Sequence, residues 1–122
     1  MIERTEDYRI VNRMVAFKVV ISSKCFYLME KKGKEILGIW SFEPYKDGLR
    51  IHADMGMKCR GKQAIESAKN AFNWVFNNTE FKSIFAGIPH ENKPACRVAS
   101  FSGMRYSGFN DYCKWYELKE GW

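Results

Sequence analysis

Met55-Gly56-Met57-Lys58-Cys59-Arg60-Gly61-Lys62-Gln63-Ala64-Ile65 is the stretch on which the fold turns. Just before it, Leu49, Ile51, Ala53 and Met55 alternate with Arg50, His52 and Asp54, the period of a strand running from Leu49 to about Met57. Just after it, Ala64, Ile65, Ala68, Ala71, Phe72, Val75 and Phe76 recur every three to four residues. That is the strongest helical signal in the chain, spanning Gly61 to about Asn77. A short basic loop joins the two. The first amides of a helix have no intrahelical acceptor, and the helix dipole puts partial positive charge beside them. A strand that enters a helix through Arg60-Gly61-Lys62 therefore suits a phosphate or pyrophosphate. The same three residues also read as an ordinary solvated helix start.

Working outward, Lys82 to Ile88 is an apolar run of the kind that forms a buried strand. A strand–helix–strand step from Ile51 to Ile88 predicts a parallel pair joined by a right-handed crossover. Upstream, Cys25 to Met29 and Ile36 to Phe42 read as two strands turned by Lys32-Gly33-Lys34, the second stopped by Pro44. Lys46-Asp47-Gly48 is a turn signal into the third strand. The segment from Thr5 to about Val20 carries apolar residues at helical spacing, although Val19-Val20-Ile21 could equally be extended. Downstream, Pro94 fits the first turn of a helix that ends near Ser102 and is capped by Gly103. Met104 to Phe109 and Cys113 to Leu118 then form a hairpin around Asn110-Asp111. The expected order is helix, three strands, helix, strand, helix, two strands. This is a mixed α/β sheet, mostly antiparallel with one parallel step and helices on its faces, in one domain over residues 1–122.

The 122 residues carry a formal net charge of +6, with 46% hydrophobic and 16% aromatic residues. Such a chain has ample material for a core and is not disordered. The positive charge favours anionic partners, yet it is spread, and Lys31-Lys32-Gly33-Lys34 reads as a solvated turn. Nucleic acid is not an expected partner, because no helix-turn-helix, zinc or RNP signature is present. Cys25, Cys59, Cys96 and Cys113 form no CxxC element, and His52 and His90 have no ligand spacing around them, so no metal is expected. With no secretory or membrane-spanning apolar stretch, a cytoplasmic protein with reduced thiols is expected.

These motifs together resemble the GNAT superfamily of N-acetyltransferases. The family's cofactor segment is a strand, then Q/R-x-x-G-x-G/A, then a long helix, and Arg60 matches its first position. Many members continue with N-x-x-S/A and a helix closing on Gly-Phe. Asn92-Lys93-Pro94-Ala95 through Gly103-Met104 matches that spacing, with Met104 in place of Phe. Ile51-His52 through Arg60-Gly61, with Trp74 to Thr79, looks like short acetyltransferase-like proteins of bacteriophages, which implies a host-cytoplasmic location. The resemblance covers about Leu37 to Leu118. It implies acetyl-CoA as co-substrate and an amine as acceptor, such as a protein lysine or N-terminus. The strand end at Met55 and Met57 would pair with the pantetheine. Amides of Gly61, Lys62, Gln63, Ala64 and Ile65 would hold the pyrophosphate beside Arg60. Asn92 and Arg97, on the next helix, would flank the pantetheine and thiol end. The sequence departs from the family at Gln63 and Ile65, which replace small residues, and at Ala99, where many members carry a tyrosine thought to protonate the thiolate. A Gln63 side chain could crowd the cofactor's approach.

Acyl transfer to an amine needs a proton acceptor, donors for the oxyanion and alignment of the reactants. His52 and Asp54 alternate onto one face of the strand beside the implied thioester and are the candidate catalytic pair; each also reads as a structural residue. Glu43, Tyr106 and Tyr112 are further candidates, and the oxyanion donor would be an amide near Met55. Asn92 reads both as a cofactor contact and as a helix N-cap. Trp40, Phe42, Tyr45, Phe72, Trp74 and Phe76 read as core or partner surface. The competing reading is a catalytically inactive module of the same fold that binds a protein partner. The short N-terminal arm leaves the acceptor pocket for a possible homodimer to complete.

Overall fold

The computed structural model describes residues 1–16, 19, 22 and 24–122. In chain order the elements are β1 (Ile2–Thr5), α1 (Tyr8–Met14), β2 (Phe26–Lys32), β3 (Glu35–Tyr45), β4 (Gly48–Met55), α2 (Lys62–Asn78), β5 (Ser83–Pro89), α3 (Lys93–Phe101), β6 (Arg105–Phe109) and β7 (Cys113–Lys119). The strands form one sheet in the order β1-β2-β3-β4-β5-β7-β6. Every pairing is antiparallel except β4 with β5.

The expected order of elements holds, with one addition at the start. Ile2–Thr5 forms a strand along β2, in the register Ile2 with Glu30 to Thr5 with Tyr27. The helix expected from Thr5 instead begins at Tyr8. Asp7 caps it, its carboxylate accepting from the Arg9 amide at 3.1 Å. It ends at Met14, with Val15 extended. The rest of the expected helix, with the run Val19-Val20-Ile21, falls largely on residues 17, 18, 20 and 21, outside the described residues.

Pro44 does not stop β3, which continues to Tyr45 opposite Gly48. Pairing with β2 ends at Phe42, so β3 has no neighbour among the described residues on that side at Pro44. A residue without an N–H is tolerated where no ladder bond is required.

Two apolar layers flank the sheet. Leu28, Trp40, Phe42, Leu49, Ile51 and Ile84 pack under α2 and α3, against Ala68, Ala71, Phe72, Val75 and Ala99. The α2 stripe thus faces the core as its period requires, and Phe26 stacks on Phe42 with centroids 4.8 Å apart. One polar bond pins this layer: Trp40 Nε1 donates to the buried Ser67 Oγ at 2.9 Å. On the other face α1 covers a smaller cluster of Val11, Tyr27, Met29 and Ile39. No helix among the described residues is long and apolar enough to cross a membrane.

Candidate active site

β4 and β5 pair only at Leu49 with Ile84 and Arg50 with Phe85. Beyond those two pairs the strands part, leaving β4 from Ile51 to Met55 and β5 from Ala86 to Pro89 without each other as partners. A cleft of about 540 Å³ lies over this gap, on the α2 and α3 side. Its walls include Ile51, Ala53 and Met55 of β4, Ala86 and Ile88 of β5, and the first turns of both helices.

The loop after β4 sets one wall. Gly56 donates to Leu37 O at 2.8 Å and Cys59 to Gly56 O at 3.0 Å, which turns the chain into α2. Gly61 occupies the N-cap position at φ 55°, ψ −120°, a conformation that side-chain-bearing residues avoid. It provides no side-chain cap. The Gln63 amide donates to Arg60 O at 3.2 Å and the Ile65 amide to Gly61 O at 3.1 Å. The amides of Gly61, Lys62 and Ala64 make no backbone hydrogen bond among the described residues, and all three residues line the cleft. Of the five amides expected to face a pyrophosphate, those of Gln63 and Ile65 are thus engaged in the turn.

Side chains sort in the same way. Arg60, Lys62, Ile65, Asn92 and Arg97 all line the cleft. Gln63 is exposed and is not among its lining residues, so it does not crowd the opening. Met55 lines the cleft, but Met57 does not: β4 ends at Met55, and Met57 lies in the turn, 88% exposed. Asn92 combines its two readings, because its Oδ1 accepts from the Ala95 amide at 3.3 Å while the residue stays on the cleft wall. At the far end of α3, Gly103 donates to Ser100 O and Met104 to Ala99 O, the paired bonds of a Schellman cap. Ala99 is buried against the cleft, and no tyrosine among the described residues lines it. Cys59, 1% exposed, forms part of the wall, and burial pushes its thiol above the usual range.

His52 and Asp54 project from the opposite face of β4. Asp54 does not line the cleft. Its Oδ1 accepts from the Ala16 amide at 3.3 Å, just past α1, and its buried Oδ2 makes no hydrogen bond among the described residues. That oxygen lies 3.5 Å from His52 Nε2. His52 is the more exposed partner and reaches the cleft. It also lines a second cavity, of about 450 Å³, on the α1 side of the sheet. The two cavities share Ile51, His52 and Gly87, the residues that border the gap between β4 and β5. Glu43 lines this second cavity and is paired with Arg50, while Tyr106 and Tyr112 are surface residues that reach neither. Sequence reasoning had no means of finding the second cavity, since Tyr27, Ser41, Arg50 and Trp115 meet there only through strand register.

Among solved structures, the chain is similar to a mutant form of the Vibrio cholerae spermidine/spermine N-acetyltransferase SpeG, with a TM-score of 0.81 at 12% identity over 98% of this chain and 94% of that one. It is also similar to the Campylobacter jejuni N-acetyltransferase PseH in complex with acetyl coenzyme A, with a TM-score of 0.72 at 12% identity over 82% and 71% of the two chains. A GNAT-family acetyltransferase from Bacillus anthracis aligns with a TM-score of 0.67 at 22% identity over 92% and 72%. No protein-family model matches the sequence, and neither does the sequence of any curated protein. At these identities the likeness is one of fold, and the fold is that of the GNAT N-acetyltransferases.

Proposed function

We propose that this chain is an N-acyltransferase that moves the acetyl group of acetyl-CoA to an amine. The observation that carries the proposal is the parting of β4 from β5 after two residue pairs, over a cleft lined at the start of α2 by three residues whose amides make no backbone hydrogen bond among the described residues. Backbone left open by the parted strands is costly unless something bonds to it. A chain of amides such as pantetheine fits the open β4 edge from Ala53 to Met55. A pyrophosphate fits the amides of Gly61, Lys62 and Ala64, with Arg60, Lys62 and Arg97 supplying charge. The PseH complex with acetyl coenzyme A, on the same fold, supports this assignment.

Acetyl-CoA, when bound, supplies a thioester carbonyl activated toward attack. The acceptor enters from the α1 side, through the cavity that meets the cleft at His52. A free alkyl ammonium has a pKa near ~10.4, so the amine must first lose a proton. His52, on the wall of both cavities, is placed to take it. His52 hands that proton to solvent; the C–N bond then forms as the C–S bond breaks, the second amine proton passes to the again neutral His52, and sulfur leaves as a thiolate that solvent protonates. Asp54, 3.5 Å behind, stabilises the imidazolium. It is a positioning residue rather than one that touches substrate. Ala99 leaves the cleft without a tyrosine acid among the described residues.

Calorimetric titration with acetyl-CoA tests the site, and thiol release in the presence of amines tests the chemistry. Saturable binding that weakens in Arg60→Ala, with turnover that falls roughly 10²-fold or more in His52→Ala at unchanged acetyl-CoA affinity, is the expected result. No heat and no thermal shift at millimolar acetyl-CoA overturns the proposal. A second reading, a partner-binding module without turnover, draws on the exposed aromatics Phe101, Phe109 and Tyr112 and on the missing tyrosine at Ala99. Cofactor binding without thiol release for any amine favours it.

A further inference from the structure

The cleft has two ends of different character. At one stand the amides of Gly61, Lys62 and Ala64, with Arg60 and Asn92. From there α2 and α3 run back over the sheet. Phe72 lies about 15 Å along α2 from Lys62, and Ala99 about 9 Å along α3 from Lys93. Both line the cleft, as do Trp40, Ala68 and Met104, and all five are buried members of the apolar layer. The end they form is therefore cut into the core rather than laid on the surface. Ala68, Ala86 and Ala99 reach it from α2, β5 and α3, and side chains that stop at Cβ leave space there that larger ones would fill. The polar side chains at this end are already bonded. Trp40 Nε1 donates to Ser67 Oγ, and Ser102 Oγ donates to Ala99 O at 3.0 Å. A recess of this kind offers water few partners and suits hydrocarbon.

The gap between the strands sets where an acyl group lies. Parallel pairing ends at Arg50 with Phe85, so Ile51 and Ala86 flank the closed corner of the gap on the α2 and α3 side. His52 and Gly87, the next residues, border the passage to the second cavity. A thioester carbonyl within reach of His52 sits at that corner. The attacking amine takes its α1 side, which leaves the acyl tail the other way, past Ile51 and Ala86 toward Phe72, Ala99 and Met104. We infer that this end of the cleft is an acyl-tail pocket, and that the chain takes straight-chain acyl-CoA donors longer than acetyl, such as butyryl-CoA, and binds them more tightly than acetyl-CoA. The inference rests on the acyltransferase reading for the place of the thioester, and on the alanine-lined recess for the tail. An acetyl methyl leaves most of the recess uncovered. Each further methylene taken out of water there is worth about fourfold in affinity.

The test is calorimetric titration of the whole chain with acetyl-CoA, propionyl-CoA and butyryl-CoA. Affinity should rise along the series, with butyryl-CoA binding about tenfold or more tighter than acetyl-CoA and with a more negative heat-capacity change, as burial of hydrocarbon requires. Ala99→Leu, checked for folding by its thermal transition, should cancel the gain, so that acetyl-CoA and butyryl-CoA bind alike. The series in the unaltered chain needs no variant, so it decides the matter even where Ala99→Leu does not fold. Affinity that stays flat or falls from acetyl-CoA to butyryl-CoA overturns the inference, and so does a gain that survives in folded Ala99→Leu. Acetyl-CoA that binds with no gain for butyryl-CoA removes this inference and leaves the acyltransferase reading in place. No binding of any of the three at millimolar concentration removes both.

Discussion

Gly61→Ala separates backbone geometry from everything else at the cleft. A Cβ at this position meets nothing within 4 Å, so the substitution adds no collision and removes no contact. What it adds is strain, because φ 55° with ψ −120° is open to glycine alone. Holding a side-chain-bearing residue there costs about 1–3 kcal/mol. An unfolding entropy near 2.1 cal/mol/K per residue gives about 0.26 kcal/mol/K for a chain of this length, so Tm should fall by about 4–12 °C. The chain can relieve the strain only by turning the Gly61 and Lys62 peptides, which carries their amides off target. Each charge-assisted bond lost should weaken acetyl-CoA binding about tenfold or more. Gly33→Ala is the control: it too has positive φ (62°) and open space, but it lies in the β2–β3 turn away from the cleft. Scanning calorimetry should show both variants destabilised, and titration calorimetry should show only Gly61→Ala losing affinity. If Gly61→Ala loses stability yet binds acetyl-CoA like the wild type, the amide cradle does not hold the pyrophosphate.

Ser67→Ala leaves Trp40 Nε1 buried without an acceptor, so urea denaturation should report a loss of about 1–3 kcal/mol, and Trp40→Phe in the same chain should recover part of it; full stability in the single variant would contradict the role given to that bond. Burial raises the Cys59 thiol, so less of it is thiolate at any given pH. Native-state alkylation of Cys59 at pH 8 should therefore be far slower than in the urea-unfolded chain and should quicken as pH rises; fast native labelling, read by peptide mass, would show the residue to be open. Asp54→Asn should lower turnover with little change in acetyl-CoA affinity, because Asp54 lies behind His52 and outside the cleft; a large rise in Kd would mean that the carboxylate supports the cofactor wall instead.

Much of this architecture is written in local pattern. The α2 stripe from Ala64 to Val75, the alternation of Leu49 to Met55 and the Asn92–Pro94 helix start each follow from the spacing of side chains, and each appears within a residue or two of its expected place. The misses have a common physical origin. Ile2-Glu3-Arg4-Thr5 has too little apolar character to read as a strand, and only pairing with β2 makes it one. Pro44 reads as a stop because the sequence cannot show that β3 has already lost its β2 neighbour. The same holds at the site. Arg60 and Asn92 stand where a strand gives way to a helix, which local pattern announces, and Lys62 opens α2, whereas Arg97, inside α3, is expected at the cofactor only from the family resemblance; all four line the cleft. The gap between β4 and β5, the outward Gln63 and the second cavity depend on where strands part and on which residues share a face.

The shortest route to the cofactor site is a ¹⁵N–¹H correlation spectrum recorded during titration with acetyl-CoA. The amides of Gly61, Lys62 and Ala64 should move downfield together and saturate, as donors do on meeting a phosphate, while those of Gln63 and Ile65, already bonded to Arg60 O and Gly61 O, should move much less. If Gly61, Lys62 and Ala64 stay in place at millimolar acetyl-CoA, the start of α2 is an ordinary solvated helix end and the acyltransferase assignment fails.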